Sequence, residues 1–254
     1  MPRFFLPPAA WQADPTGGGP ALTGDEARHA SQVLRLQAGA AITVFDGAGH
    51  HAAAEVLHVA RDRVALKLGP QLPVTPTQPT ITLAQAIPKG KNMDLIVQKA
   101  VELGIASIQA LITRHTIAHP GEGKADKWRR TALEACKQCG QNVLPDIPEP
   151  LPFDRWLAAQ ASVPVAGLKL IASLAPGARP LREVLREHPG TTAATLLIGP
   201  EGDFSAQETA AAIESGFLPV SLGDIVLRVE TATIFCLSAL RYEFGMGERT
   251  LPAC

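Results

Sequence analysis

Cysteine is scarce in this sequence, and long apolar runs are missing from it. Four cysteines in 254 residues are too few for the disulfide framework on which small secreted domains depend. No apolar stretch approaches the roughly 18 residues that a membrane-spanning helix requires. The first residues also lack the apolar segment and small-residue cleavage site of a secretory signal. We therefore expect a cytoplasmic protein with no membrane partner.

Charge of one sign is not in excess either, since the net charge is −1. The whole chain therefore exerts no general attraction on nucleic acid, although local clusters of basic residues still can. Such clusters are Arg28 and Arg35; Arg61, Arg63 and Lys67; Lys89 and Lys91; and Lys124, Lys127, Arg129 and Arg130. Each cluster taken alone is more often a solvated face than a binding surface. The charge pattern therefore does not show whether the protein binds nucleic acid.

A proline-rich stretch divides the chain. Residues 69–80 read GPQLPVTPTQPT, with four prolines and no charged side chain. Proline interrupts both helices and strand ladders, which favours an extended linker. We predict a first domain over residues 1–70, a linker over 71–79 and a second domain over 80–254.

The first domain has one predicted helix, and the rest of it has a β pattern. Thr23 and Glu26 have the spacing of a capping box, and an apolar stripe follows that ends near Gly39. From Ala41 onward apolar and polar residues alternate, with a break at Asp46-Gly47 that is typical of a hairpin. We predict a small, mostly β barrel or sandwich.

The second domain alternates predicted strands with predicted helices. This order indicates a largely parallel sheet covered by helices. The predicted strands are residues 80–88, 108–113, 169–174, 194–199 and 218–223, and the predicted helices are 93–104, 124–139, 180–188, 205–216 and 230–244.

Two segments carry the strongest candidate site. In residues 195–208 an apolar strand leads into Gly199-Pro200-Glu201-Gly202, followed by a capping box from Ser205 to Glu208. Ligands of open α/β sheets bind at such strand ends, and the glycines allow close approach of the backbone. A tight connection without a ligand remains the alternative. Neither the Rossmann fingerprint nor a P-loop lysine is present.

The second segment, residues 221–233, places Arg228 and Glu230 in an apolar stretch before the last helix. Two charges there are costly to bury unless they are paired. They are either a surface ion pair at a helix start or groups that contact a substrate and handle a proton. The local pattern does not separate these two interpretations.

One pattern imitates a zinc site. His115 and His119 are followed by Cys136 and Cys139, a ligand set suited to tetrahedral zinc. The cysteines lie in a predicted helix, where thiols are usually buried core groups, so we favour no metal. The remaining histidines have no nucleophile partner, and no GxSxG motif supports serine-hydrolase chemistry.

Taken together, the motifs resemble one known family over nearly the whole chain. They are PRFF (2–5), HASQVLRLQAG (29–39), ITVFDGAG (42–49), KGKNMDLIVQKAVELGI (89–105), KWRRTALEACKQCGQNVLP (127–145), LIGPEGDFSAQE (197–208) and LGDIVLRVETAT (222–233). Their order and spacing are similar to those of the RsmE family, the 16S rRNA uracil-N3 methyltransferases of the SPOUT superfamily.

The resemblance implies an α/β fold. It has a small N-terminal PUA-like β-barrel for RNA and a C-terminal SPOUT domain with a mostly parallel sheet and a trefoil knot. It also implies a homodimer that methylates N3 of a uridine in 16S rRNA, either as naked RNA or within the small ribosomal subunit, with S-adenosylmethionine as cofactor. The expected cofactor-binding residues are Leu174, Ile198, Gly199, Pro200, Glu201, Gly202, Leu222, Gly223, Leu227, Thr231 and Ala232.

The same resemblance suggests chemical roles. Arg228 is the candidate for stabilising anionic charge on the uracil oxygens, and Glu230 for orienting the base or accepting the N3 proton. RNA is expected to contact Arg3, Arg28, Arg35, Lys89 and Lys91. Methylation of another RNA position, such as a ribose 2′-hydroxyl, and a non-catalytic RNA-binding module are the alternatives.

The chain departs from the family pattern at several positions. A loop that often reads GPEGG has Asp203 here, and Gln141 stands where arginine is common. Asp224 and Ile225 replace a proline and an arginine. We expect cofactor binding to survive and phosphate contacts to be weaker.

Overall fold

The computed structural model describes residues 1–11, 19–73, 79–117, 121, 123–160 and 167–245. The chain separates into two compact units. Unit 1 comprises residues 1–76 and 133–144, and unit 2 comprises 77–132 and 145–254. Most of the expected linker, residues 74–78, lies outside the described residues. The domain limits drawn from the sequence therefore stay predictions.

Unit 1 is built on a curled, mixed half-barrel sheet of six strands, which confirms the expected PUA-like architecture. The strands are β1 (Arg3–Phe5), β2 (Ala21–Thr23), β3 (Ala41–Phe45), β4 (His50–Val59), β5 (Arg63–Leu68) and β6 (Leu72–Pro73). Their order is β1-β3-β4-β5-β2, with β6 beside β4, and only β1 and β3 run parallel. The inward residues of β3 and β4 are apolar and fully buried, as the alternating pattern predicts.

The break at Asp46-Gly47 does join two antiparallel strands. The buried Asp46 carboxylate accepts hydrogen bonds from the backbone N–H groups of Ala48 and His50 at 2.7 and 2.9 Å. Burial alone would raise the pKa of Asp46, but these N–H groups and the His50 ring lower it below its usual value. Gly47 has φ +73°, and a Cβ there would meet Leu144 Cδ1 at 2.7 Å. Only glycine fits this turn.

The predicted capping box at Thr23 and Glu26 is wrong. Helix α1 (Gly24–Arg28) does begin after Thr23, but the Thr23 side chain makes no capping hydrogen bond. The Glu26 carboxylate instead accepts from Phe5 N at 3.1 Å and from the nearly buried Lys137 Nζ at 2.8 Å. The helix continues as one wider turn over His29–Val33 and stops near Arg35, which has φ +51°, rather than at Gly39.

Unit 2 contains an all-parallel, seven-stranded sheet in the order β11-β13-β10-β12-β7-β8-β9. The strands are β7 (Thr80–Ala86), β8 (Ser107–Ile112), β9 (Leu151–Pro152), β10 (Leu168–Ala172), β11 (Arg179–Pro180), β12 (Ala193–Ile198) and β13 (Leu218–Ser221). The helices are α2 (Asn92–Glu102), α3 (Lys124–Cys139), α4 (Phe153–Gln160), α5 (Leu181–Glu187), α6 (Ala206–Glu214) and α7 (Val229–Phe244). The residues of α3 from Leu133 onward belong to unit 1. The parallel α/β architecture is confirmed; the trefoil knot stays a prediction.

Helix α4 is the one long element that the sequence pattern did not predict. Phe153, Trp156 and Leu157 are buried, and they follow the i, i+3, i+4 spacing of an apolar helix face. The Phe153 ring lies 5.5 Å from Phe204 and the Trp156 ring 6.0 Å from Phe217. The helix thereby closes a core cluster of unit 2. Among the described helices, none has the length and apolar content to cross a membrane.

Candidate active site

A cavity of about 450 Å³ lies at the carboxyl ends of the neighbouring strands β10, β12 and β13. Because the strands are parallel, the loops that follow them meet at one edge of the sheet. The lining residues are Asn92, Ala172, Ser173, Leu174, Ile198, Gly199, Pro200, Glu201, Asp203, Leu222, Gly223, Ile225, Val226, Leu227, Arg228, Val229, Glu230 and Ala232. All of them belong to unit 2.

Most of the residues expected at the cofactor and the reaction line this cavity. The expected residues that line it are Leu174, Ile198, Gly199, Pro200, Glu201, Leu222, Gly223, Leu227, Arg228, Glu230 and Ala232. Two do not: Thr231 is exposed on α7, and Gly202 faces His115, whose ring Nδ1 lies 2.9 Å from the Gly202 carbonyl oxygen. The structure brings the two predicted segments together, and the individual roles stay predictions.

Carboxylates hold the β12–α6 segment to three neighbouring loops. Each accepts a backbone N–H from a different loop: Glu201 from Lys89 at 2.9 Å, Glu208 from Arg114 at 2.9 Å, and Asp203 from Leu174 at a longer 3.5 Å. The Ser205–Glu208 capping box forms as the sequence predicts. These bonds hold in place the segment whose first residues form part of the cavity wall.

Two backbone positions of the wall adopt the left-handed conformation. Gly223 has φ +121°, and a Cβ there would meet no protein atom within 4 Å, so its backbone is open to a ligand. Asp203 has φ +57°, a value that glycine adopts at no cost and that aspartate tolerates better than most residues. This explains why an aspartate can stand where the family pattern often has glycine.

Arg228 and Glu230 lie at the start of α7, and they do not pair with each other. Arg228 is the residue before the first turn of α7, and its side chain is exposed at the cavity. Glu230 Oε2 accepts a hydrogen bond from Asn92 Nδ2 at 3.2 Å. Within the part of the chain that the structure describes, Arg228 has neither an ion pair nor a side-chain hydrogen bond. The interpretation of these residues as a surface ion pair is therefore wrong.

Two residues behind and beside the cavity were missed in the sequence. Asn92 orients Glu230. It begins α2 after the lysine-rich loop that follows β7, and this place near a strand end was the only feature of the sequence that pointed to it. Gln85 is fully buried in β7, and its Oε1 lies 2.7 Å from the buried Thr233 hydroxyl of α7. A buried glutamine in an apolar strand is costly without a partner, which was an available signal. This pair anchors the start of α7 to the sheet.

The residues expected at RNA are placed in both units. In unit 1, Arg28 and Arg35 are exposed, with Arg28 paired to Asp25. Arg3 is half-buried: its Nη2 donates to Asn142 Oδ1 at 2.5 Å and its guanidinium lies 5.2 Å from the Phe45 ring centre. In unit 2, Lys89 and Lys91 are exposed in the loop after β7.

The residues of the zinc-like pattern have different surroundings. Cys136 is buried, and burial raises the pKa of its thiol to about 12. Cys139 is exposed, and the His115 ring is bonded to the carbonyls of Gly202 and Asp203. His119 lies outside the described residues. No three described His, Cys, Asp or Glu side chains form a group able to hold a metal ion.

Comparisons with known proteins identify the family to which the chain belongs. A family model described as "RNA methyltransferase domain" matches residues 75–241, and one described as "RNA methyltransferase PUA domain" matches residues 22–69. The Ribosomal RNA small subunit methyltransferase E of Synechocystis is 30% identical over 229 residues, which cover 86% of this chain and 71% of that protein. The chain belongs to this RNA methyltransferase family.

Two solved structures are similar to this chain over almost its full length. The enzyme named Ribosomal RNA small subunit methyltransferase E from Neisseria gonorrhoeae, bound to S-adenosyl methionine, is 31% identical with a TM-score of 0.83, covering 96% of this chain and 98% of that one. A putative methyltransferase from Legionella pneumophila in complex with the same cofactor is 33% identical with a TM-score of 0.82, covering 95% and 97%.

Proposed function

We propose that this protein transfers a methyl group from S-adenosylmethionine to N3 of a uridine in 16S rRNA. The observation that carries the proposal is the cavity at the strand ends. There Arg228, which has no partner among the described residues, and Glu230, which is oriented by Asn92, lie beside the open backbone of Gly223. The family membership supports an RNA substrate and this cofactor.

The residues of the cavity fit the cofactor. Its volume of about 450 Å³ lies within the range of small-molecule sites. The three walls are formed by Leu174, by Ile198–Glu201 and by the lining residues of the segment that begins at Leu222. The open backbone at Gly223 can bond an adenine without side-chain interference. Bound there, S-adenosylmethionine would supply an activated methyl group on a sulfonium.

The chain's own residues then have to position the base and move one proton. The Arg228 guanidinium can donate to the uracil oxygens and stabilise the anionic charge that grows as N3 loses its proton. The Glu230 carboxylate, held by Asn92, can orient the base or accept the N3 proton. Neither role requires a metal ion, because the methyl group is already activated and the remaining task is alignment.

RNA binding is proposed for the basic residues of both units. Exposed Arg28, Arg35, Lys89 and Lys91 can contact phosphates. Arg3 differs because its guanidinium already bonds within unit 1, so its proposed contribution is smaller than theirs. Gln141 and Ile225 lack the charges that the family pattern often has, which predicts a weaker dependence of binding on salt. Since ribosomal RNA is the target, the reaction is expected in the cytoplasm.

A homodimer is the second part of the proposal. Exposed apolar side chains surround the cavity and the adjoining groove along α7: Leu174, Ile225, Val226, Phe235 and Tyr242. Ile225 and Val226 are 74% and 76% exposed, which is unusual for apolar side chains beside a site. A second copy of the chain would cover them.

We expect the double variant Ile225→Asp and Val226→Asp to be monomeric, because two buried carboxylates would oppose association. Analytical ultracentrifugation of the wild-type and variant proteins measures this. Ile213→Asp on α6 is the matched control, since it adds a carboxylate at another exposed apolar position. A dimer that persists in the double variant would exclude this surface as the interface.

The activity itself is tested with purified protein, S-adenosylmethionine and either naked 16S rRNA or assembled small subunits from a strain that lacks the enzyme. Nucleoside mass spectrometry is expected to show 3-methyluridine in one of the two substrates. A 2′-O-methylated nucleoside would instead support the alternative reaction. Binding of RNA without any methylated nucleoside would support the non-catalytic module.

A further inference from the structure

The charge of the cavity wall is unbalanced. The ionisable side chains that line the cavity are three carboxylates and one guanidinium: Glu201, Asp203, Glu230 and Arg228. Fixed negative charge around a partly enclosed site favours a cationic ligand over a neutral one of the same shape. The reactant S-adenosylmethionine carries a net positive charge because of its sulfonium, whereas the product S-adenosylhomocysteine is a neutral thioether of nearly the same shape.

Among these carboxylates, Asp203 lies between two of the cofactor loops. Its Oδ1 accepts the backbone N–H of Phe204 at 2.8 Å and lies 3.0 Å from where a Cβ of Gly199 would be. Its Oδ2 has only the 3.5 Å contact with Leu174 N. In the described parts of the chain no lysine or arginine lies within ion-pair distance of it. Its negative charge is therefore not neutralised by an ion pair and can act on a ligand in the cavity.

The other two carboxylates have different surroundings. Glu201 Oε1 accepts Lys89 N on the exposed side of the wall. Glu230 is bonded to Asn92 and lies two residues after Arg228, where the proposed base would bind. Asp203 contacts both the Gly199 and the Leu174 loops, and no lysine or arginine of the described residues pairs with it, so it is best placed to act on the cofactor's charge.

We propose that Asp203 is a specificity-determining residue that makes the cavity prefer S-adenosylmethionine over S-adenosylhomocysteine. The inference rests on the proposed function, because it assumes that this cofactor binds between these loops. Methyl transfer removes the sulfonium charge, so the attraction to Asp203 is lost when the product forms. The preference would lower product inhibition.

The alternative is that Asp203 only shapes the loop through its left-handed backbone and its bond to Phe204 N. Asp203→Asn separates the two roles. Asparagine also tolerates a positive φ, and it keeps an oxygen acceptor while it removes the charge. Asp203→Gly is the second variant: it removes the charge and the side-chain bonds but relieves the backbone.

The test is isothermal titration calorimetry of both ligands with the full-length protein. We expect Asp203→Asn to weaken the affinity for S-adenosylmethionine roughly three- to tenfold, because one charge interaction in a solvent-accessible cavity is lost. The affinity for S-adenosylhomocysteine should change less than twofold. Asp203→Gly should shift the ratio of the two affinities in the same direction. Asp62→Asn, an equal change at an exposed acid of unit 1 that does not line the cavity, should leave the ratio of the two affinities unchanged.

An equal loss of affinity for both ligands would overturn the inference, because Asp203 would then act only by shaping the loop. An unchanged ratio of the two affinities in both Asp203 variants would overturn it as well. An equal shift of this ratio in Asp62→Asn would also overturn it, because the effect would then come from net charge. If the wild-type protein binds neither ligand at millimolar concentration, the proposed function fails together with the inference. Binding by the wild type with an unshifted ratio leaves the proposed function standing and removes only the inference.

Discussion

Arg228→Ala is expected to reduce methyl transfer roughly 100- to 1000-fold, the loss typical of removing one group that stabilises developing negative charge. Arg228 borders the cavity with an exposed guanidinium, and within the described residues it forms no bond that its removal would break. The fold should therefore be unaffected, because no stabilising contact is lost. Single-turnover transfer to 16S rRNA, with calorimetry of the cofactor alongside, measures the two effects separately.

Two further variants sharpen this test. Arg228→Lys keeps the charge but not the planar fork of donors, and it should recover part of the rate. Arg155→Ala removes an exposed arginine from α4 that does not line the cavity, and it should have the wild-type rate. A tenfold or greater loss of cofactor affinity in Arg228→Ala would reassign this residue to cofactor binding. Full activity would remove it from the site.

Arg241→Ala is expected to destabilise unit 2 by about 2–4 kcal/mol, because it leaves several carbonyl groups without their charged donor. Arg241 on α7 donates from Nε to Leu103 O at 2.6 Å, from Nη1 to Pro79 O at 2.7 Å, and from Nη2 to Gly104 O. Leu103 and Gly104 end α2, so one side chain holds both helices and the start of β7. Burial lowers the pKa of this guanidinium, consistent with its loss of contact with water.

Urea unfolding followed by tryptophan fluorescence, to which the buried Trp128 and Trp156 of unit 2 contribute, measures this loss of stability. Arg241→Lys should recover only part of the stability, since one ammonium cannot reach all three carbonyls. Arg179→Ala is the control: Arg179 pairs with Glu187 on the surface, where an ion pair contributes little, and the midpoint should barely move. Equal shifts for Arg241→Ala and Arg179→Ala would contradict the proposed role of Arg241.

Two capping boxes with the same spacing show where sequence reasoning succeeds. Ser205 and Glu208 form theirs, because the Glu208 carboxylate remains within reach of Ser205 N and also accepts Arg114 N. At Thr23 the box fails, because Glu26 is taken by Phe5 N and Lys137, residues distant in the chain. Local spacing predicts a capping bond only when no distant partner competes for the carboxylate.

The strands and most helices were predictable because the repeating apolar pattern of each element is a local property of the sequence. It does not depend on which other element packs against it. The all-parallel order of unit 2 follows from alternation of the two element types. Helix α4 was missed even though its apolar spacing is present, because two of its three buried positions are aromatic residues in a short segment after proline. A segment of eight residues is too short for its apolar periodicity to be recognised as that of a helix.

By itself the sequence determined the two sheet classes, the strand-end segments near Gly199 and Arg228, and the family. Each of these depends on residues close together in the chain or on motifs in a given order. Only the tertiary structure decided that Asn92 orients Glu230, that Arg228 stands unpaired within the described residues, and that Asp203 turns a carboxylate toward the cavity at a positive φ. These depend on contacts between loops that are tens of residues apart, and their geometry exists only after the parallel strands have aligned their carboxyl ends.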